Sequence, residues 1–215
     1  MDAGTFVEEL AAARIGRTFN QYATGDRAEL LRSRLVDYLE RRAEAQVLLV
    51  GEAPGYRGAR VSGLPFTSEC QLTGAGPAES TATIVHRVLE ELALADEVLL
   101  WNVVPTHPGT AWSNRAPTRD EVESGLEFVR RLTAGKAVLA VGRVAERALG
   151  VRYVRHPSHA GAAQFREQLT HAVQGLVARS HKVSRRDPSR ATPRSRTPTS
   201  QARGNPFPRG CEVSS

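Results

Sequence analysis

Apolar residues alternate between helical spacing and short continuous runs along most of the chain. Between residues 27 and 43, for example, Leu31, Leu35 and Leu39 recur at helical spacing with charged residues between them. Short runs rich in Val and Leu, such as 46–50, instead indicate buried strands. The predicted helices are 5–15, 27–43, 82–94, 118–132, 143–149 and 165–177, and the predicted strands are 46–50, 98–101, 137–141 and 153–154.

Strands that are separated by helices predict right-handed crossovers and a parallel sheet covered on both faces. We therefore expect an α/β fold, a three-layer αβα sandwich with a central four-stranded, mainly parallel sheet. In such sheets, ligands bind beyond the C-terminal ends of the strands. This rule selects three segments, 51–68, 102–117 and 155–161, for closer inspection.

The charge of the chain is concentrated at its C-terminal end. The 215 residues carry a formal net charge of +6, but residues 1–179 hold 21 basic and 21 acidic side chains. Residues 180–215 hold 8 basic and 2 acidic ones, together with five prolines. We expect a folded domain over 1–179 and a disordered, basic Ser/Pro/Arg-rich tail over 180–215. The high net charge supports DNA binding only weakly, because a solubilising tail has the same composition.

Several classes of protein are disfavoured by composition. No apolar run approaches the ~20 residues of a membrane span, and no basic region followed by an apolar one opens the chain. Two cysteines cannot supply the four ligands usual for an iron–sulfur cluster. We expect a soluble, cytoplasmic monomer with no membrane partner, no cofactor and no metal.

The three strand-end segments carry the candidate chemistry. A Gly/Pro-rich stretch at 51–58 lets backbone amides approach a ligand, although a tight turn needs the same residues. Asn102 caps a turn or reads the edge of a heteroaromatic ligand. His156 is a candidate acid or electrophile. A Ser–His hydrolase using Ser158 is disfavoured because GxSxG is absent, and metal ligation by histidines lacks a typical spacing.

Four motifs in order, GEAPG (51–55), SGLPF (62–66), NVVP (102–105) and HPS (156–158), resemble those of the uracil-DNA glycosylase superfamily. The resemblance spans residues 45–178. GEAPG, NVV and NRAPTRDE (114–121) are similar to the thermostable iron–sulfur enzymes, whose four cluster cysteines this chain lacks. The spacing GxxPGxxGxxxSGxPF is like that of the single-strand-selective monofunctional enzymes, which have Asn where Ala53 stands. The chain therefore resembles a divergent branch without a cluster.

The resemblance implies a role for each matched residue. Glu52, near the sugar or the water, and His156, which stabilises negative charge on the leaving base, are the expected catalytic residues. A base-binding group would include a stacking ring and a base-reading amide; it comprises Gly51, Ala53, Phe66 and Asn102. The 51–55 loop, with Pro54 and Gly55, would line the pocket and compress the DNA backbone, and Ser158 and His159 would contact DNA or help fill the vacated stack. Apart from the resemblance, Arg57 and Arg115 are candidates for phosphate contacts because they are positively charged residues within the three segments.

The resulting expectation is a monofunctional DNA glycosylase that flips a damaged or modified base, uracil by default, and hydrolyses its N-glycosidic bond. No lysine lies in the three segments, which disfavours a Schiff-base lyase step. Its partner would be single- or double-stranded DNA. The expected role is base excision repair, and the expected location is near the nucleoid. The alternatives are a DNA-lesion-binding protein without robust catalysis, a glycosylase for a modified base other than uracil, for example in foreign DNA, and a hydrolase or transferase of small nucleotides.

Overall fold

The computed structural model describes residues 1–158 and 160–184. Within these residues a four-stranded, all-parallel sheet is accompanied by helices, which confirms the predicted α/β class. The strands are β1 (Val47–Gly51), β2 (Val98–Asn102), β3 (Ala137–Val141) and β4 (Tyr153–Val154). The helices are α1 (Ala3–Ala12), α2 (Ala28–Arg41), α3 (Ala59–Ser62), α4 (Glu69–Thr73), α5 (Ser80–Glu91), α6 (Arg119–Leu132), α7 (Arg143–Leu149) and α8 (Ala162–Ser184).

The strand order is β2-β1-β3-β4, so the chain runs outward from β1 in two directions. Because parallel crossovers are right-handed, this reversal places connecting helices on both faces of the sheet. Every residue of β1 and β2 is buried, as expected for strands covered on both sides. The point between β1 and β3, where the strand order reverses, also forms a crevice at the C-terminal strand ends, and ligands bind there in this architecture.

Two short helices were not predicted, and one helix ends well beyond its predicted end; the other helix ends lie within three residues of the predictions. Helices α3 and α4 have only 4 and 5 residues, too few for a periodic apolar pattern, and each ends at a glycine with left-handed backbone, Gly63 and Gly74. Helix α8 continues to Ser184, past the predicted domain boundary at residue 179. The rest of the predicted disordered tail, 185–215, lies outside the described residues.

The core holds the sheet against the surrounding helices. The Phe6 ring of α1 packs edge-on against both Trp101 of β2 and Phe128 of α6, with ring centroids 5.6 Å apart in each pair. Such edge-to-face pairs add about 0.5–1.5 kcal/mol beyond area burial.

In the described part of the chain, no helix combines the length and apolar character needed to cross a membrane.

Candidate functional site

A cavity of about 310 Å³ opens at the C-terminal edge of the sheet. All three predicted segments line it, together with residues at the start of α5. The lining includes nine of the residues predicted from the sequence: Glu52, Ala53, Pro54, Gly55, Phe66, Asn102, Arg115, His156 and Ser158. Gly51 lies directly behind the Phe66 ring, Arg57 is exposed outside the lining, and His159 lies outside the described residues.

The inner wall of the cavity is formed by Gly51, Phe66 and Asn102. Gly51 and Asn102 are register partners at the ends of β1 and β2, so the sheet itself brings them together. A Cβ atom on Gly51 would lie 2.2 Å from Phe66 Cζ and 3.1 Å from Asn102 Oδ1. The glycine is thus required because the ring edge rests on its backbone. An aromatic face and an amide side by side suit a planar heteroaromatic ring with a hydrogen-bonding edge.

Phe66 is held in a strained backbone conformation. Its φ of 51° lies in the left-handed region, which costs a non-glycine residue about 1–3 kcal/mol. The turn around it is fixed by Ser62 Oγ, which donates to the Thr67 carbonyl at 2.6 Å, and by His86 Nε2, which lies 3.0 Å from Thr67 Oγ1. Burial lowers the pKa of His86 to about 4, so this ring is neutral at physiological pH. These contacts hold the strained backbone, and they thereby fix the Phe66 ring at the cavity wall.

Asn102 and Glu52 bring an amide and a carboxyl group to the cavity. Asn102 is only 4% exposed, and it lines the cavity. The Glu52 main chain is fixed, since its carbonyl accepts from Val104 N at 3.0 Å. Burial raises the pKa of the Glu52 carboxyl above its ordinary value. An amide and a carboxylate are therefore available to a ligand in the cavity.

His156 is oriented by the residue two positions later. The Ser158 backbone N–H donates to His156 Nδ1 at 3.2 Å, and Ser158 Oγ lies 2.7 Å from the same nitrogen. A backbone amide can only donate, so Nδ1 is an acceptor and the neutral ring carries its proton on Nε2. The ring therefore offers an N–H donor, the form needed to stabilise an oxyanion without an imidazolium charge.

His107 joins two of the cavity-lining loops. It is fully buried, with Nδ1 2.8 Å from the Pro54 carbonyl and Nε2 2.8 Å from the Thr110 carbonyl. Both acceptors are carbonyl oxygens, so both bonds form together only with the doubly protonated ring. Among the described residues there is no cluster of three or more His, Cys, Asp or Glu residues that could hold a metal ion. His107 is a structural link in this fold.

Arg115 reaches the cavity rim but is also in an ion pair. Its two terminal nitrogens donate to the Glu121 carboxylate at 2.6 and 2.7 Å. The Arg115 guanidinium is the main reason that the pKa of Glu121 falls to about 2. Glu121 also completes the predicted capping box with Thr118. A phosphate contact by Arg115 remains a prediction, and it would have to coexist with this pair.

Sequence reasoning missed two residues at this site. Glu79, immediately before α5, lines the cavity with its carboxylate, and burial raises its pKa to about 7. Its signal was its position immediately before α5, the last helix between β1 and β2, because the N-termini of such connecting helices lie at the ligand-binding edge of the sheet. Trp112 is 86% exposed at the tip of a turn whose base, Pro108 and Asn114, lines the cavity. The sequence feature that could have indicated Trp112 is a single aromatic residue within a polar loop.

The fold and the cavity define an α/β protein with a ligand site at its strand ends, and comparisons with known proteins give its family. The sequence profile of the Uracil DNA glycosylase superfamily matches residues 39–177, and the chain belongs to that superfamily. Its members are DNA glycosylases, which act on DNA.

A solved structure with a similar fold is wild-type SMUG2 from Pedobacter heparinus. The match has a TM-score of 0.62 and 14% identity, and it covers 83% of this chain and 99% of the other. No curated protein sequence matches this chain significantly.

Proposed function

We propose that this protein is a monofunctional DNA glycosylase that accepts a flipped base, uracil by default, and hydrolyses its bond to the sugar. The observation that carries the proposal is the arrangement of the cavity. It combines a stacking ring (Phe66), a buried amide (Asn102), an oriented N–H donor (His156) and a carboxylate (Glu52) in one space of about 310 Å³. A base inside a duplex cannot reach such a site, so it must be extruded.

The reaction requires stabilisation of two opposite charges. Cleavage of the N-glycosidic bond leaves negative charge on the base and positive charge on the sugar. The Nε2–H of His156 and the Asn102 amide supply donors to the base, and the Glu52 carboxylate stabilises the sugar or accepts a proton from the water. Loss of one such preorganised group typically lowers the rate by about 10²–10³.

DNA would lie across the mouth of the cavity. Arg57 is exposed beside it and forms no ion pair with another described residue, which suits a phosphate contact. Trp112 projects from a turn that is held by a Thr110 N to Ser113 O bond of 3.1 Å and by an antiparallel bridge between Gly109 and Asn114. An exposed aromatic ring on a fixed turn suits stacking on a nucleobase next to the flipped one.

The proposal is tested with oligonucleotides that carry a single uracil, hypoxanthine, xanthine or modified cytosine, in single and double strands. After incubation, heat and alkali cleave the strand at abasic sites, and the Asn102→Ala variant is the matched negative control. We expect cleavage of the uracil strand that is lost in the variant. No cleavage of any substrate would refute the proposal, and tight lesion binding without base release would favour the lesion-binding alternative.

A further inference from the structure

Glu79 and the 51–58 loop are built to fit one another. A Cβ atom on Gly55 would lie 2.1 Å from Glu79 Oε1, and one on Gly58 would lie 2.0 Å from Glu79 Oε2. Neither glycine has a left-handed backbone, so each is required for space. The sequence suggested that these glycines let the backbone approach a ligand. In the structure, the space that they leave is filled by the Glu79 carboxylate.

The position of this carboxylate in the cavity is informative. The Gly51 end of the loop touches Phe66 and Asn102, which form the expected base-binding wall. Glu79 lies at the opposite end of the same loop, against Gly55 and Gly58. A nucleotide whose base occupies the inner wall would therefore place its sugar toward Glu79.

The charge environment leaves Glu79 available for this sugar. Its carboxylate has no hydrogen-bond or ion-pair partner among the described residues, and the named cation that acts on it is Arg57. The other ionisable groups that line the cavity are Glu52, Arg115 and His156. Of these, Arg115 is paired with Glu121 and His156 is oriented by Ser158.

We propose that Glu79 is a second acting carboxylate of this site, which faces the sugar of the flipped nucleotide and stabilises the positive charge that develops there. The inference rests on the proposed function. In the reaction, the bond between C1′ and the base nitrogen breaks and its electron pair leaves with the base. The water oxygen then bonds to C1′, and the water gives up one proton, which balances the proton that the departing base takes up. In its ionised form, Glu79 places negative charge beside C1′ while that carbon is cationic.

The test uses a charge probe that does not depend on turnover. The affinity of the full-length protein is measured for oligonucleotides with a cationic pyrrolidine abasic analogue and for matched ones with neutral tetrahydrofuran. The variants are Glu79→Gln, which keeps the size but removes the charge, and Glu79→Asp, which keeps the charge. Glu90→Gln, an exposed position on the same helix, is the control.

We expect wild type, Glu79→Asp and Glu90→Gln to prefer the cationic analogue, and Glu79→Gln to lose at least roughly tenfold of that preference, with a similar loss in single-turnover excision. If Glu79→Gln keeps both the preference and the rate, or if wild type shows no preference, the proposal is wrong.

Melting curves establish that each variant is folded. If Glu79→Gln fails to fold, the comparison of the two analogues between Glu79→Asp and wild type decides the test. Loss of the preference in a folded Glu79→Asp protein would then contradict a role in charge stabilisation. Should wild type excise no base yet retain a cationic preference that depends on Glu79, the proposed function fails, and of the inference only the placement of a negative charge beside the sugar survives.

Discussion

Replacement of Gly51 with alanine tests whether the inner wall of the cavity determines activity. The new methyl carbon would stand 2.2 Å from Phe66 Cζ and 2.8 Å from Cε2. Carbon atoms pack at ~3.5–4.0 Å, so the ring would have to withdraw by about 1.3 Å or more. Gly51 itself has an ordinary strand backbone that alanine can adopt, so the effect would come from this contact alone.

Two consequences follow for Gly51→Ala. Overpacking of this kind costs about 1–3 kcal/mol, and 1 kcal/mol corresponds to a shift of roughly 2–4 °C in Tm for a domain of this size. A misplacement of about 1 Å in a positioning group can lower the rate by about 10². We expect a modest fall in Tm and a fall of about 100-fold in single-turnover base excision, measured with enzyme in excess over a labelled oligonucleotide.

Gly4→Ala is the control for this experiment. Its methyl carbon would meet Asp2 Oδ1 at 3.6 Å, an ordinary contact, in helix α1 and away from the cavity. This variant should keep the wild-type rate, and its Tm should not fall, because alanine favours a helix over glycine. A Gly51→Ala protein with wild-type activity would show that the Phe66 ring does not need its observed place, and the reasoning would be refuted.

Three further predictions concern individual side chains. Asn102→Ala and His156→Ala should each lower single-turnover excision by at least roughly tenfold with little change in Tm, and wild-type rates in both would remove them from the site. Trp112→Ala should weaken DNA binding by several-fold in a titration, since stacking contributes about 1–3 kcal/mol per base, while Trp112→Phe should retain most of it; equal affinities in all three proteins would contradict this. The pKa of Glu121 falls from 4.5 to about 2 on folding, so its ionised form should stabilise the protein by roughly 3 kcal/mol above pH 4.5, and this gain should be lost as the pH falls toward 2. Denaturant unfolding should therefore show Glu121→Gln to be less stable than wild type at pH 7 but nearly equal to it near pH 2, and a difference independent of pH would be the contrary result.

The sheet and its ligand-binding edge could be predicted because the determining features are local in sequence. Continuous apolar runs marked the strands, and the capping box at Thr118 and Glu121 marked the start of α6. The strand ends then placed Asn102 and His156 at one edge by topology alone. These two residues were found because Asn102 ends β2 and His156 lies two residues after β4.

The position of Glu79 before a helix placed it near the ligand-binding edge, but its contact with the 51–58 loop could not be predicted, because that contact joins residues far apart in the chain. Its carboxylate lies against Gly55 and Gly58, which are 24 and 21 positions earlier in the chain. Periodicity carries no information on which helix N-terminus meets which loop. The same limit hid the ion pair of Arg115, whose partner Glu121 was interpreted only as a cap.

The strain in Phe66 was also invisible in the sequence. SGLPF predicts a turn, but a left-handed φ at the phenylalanine depends on the buried contacts made by Ser62, Thr67 and His86. Strained residues of this kind are stabilised by their surroundings and concentrate at functional sites.

The central claim is that the cavity releases a base from DNA. The most direct measurement is detection of the free base by mass spectrometry after incubation of the protein with an oligonucleotide that contains a single uracil, alongside its Asn102→Ala variant. The proposed function predicts free uracil and an intact abasic strand for wild type, with little of either for the variant. No free base from uracil or from any base of the panel, at enzyme concentrations that saturate binding, would contradict it.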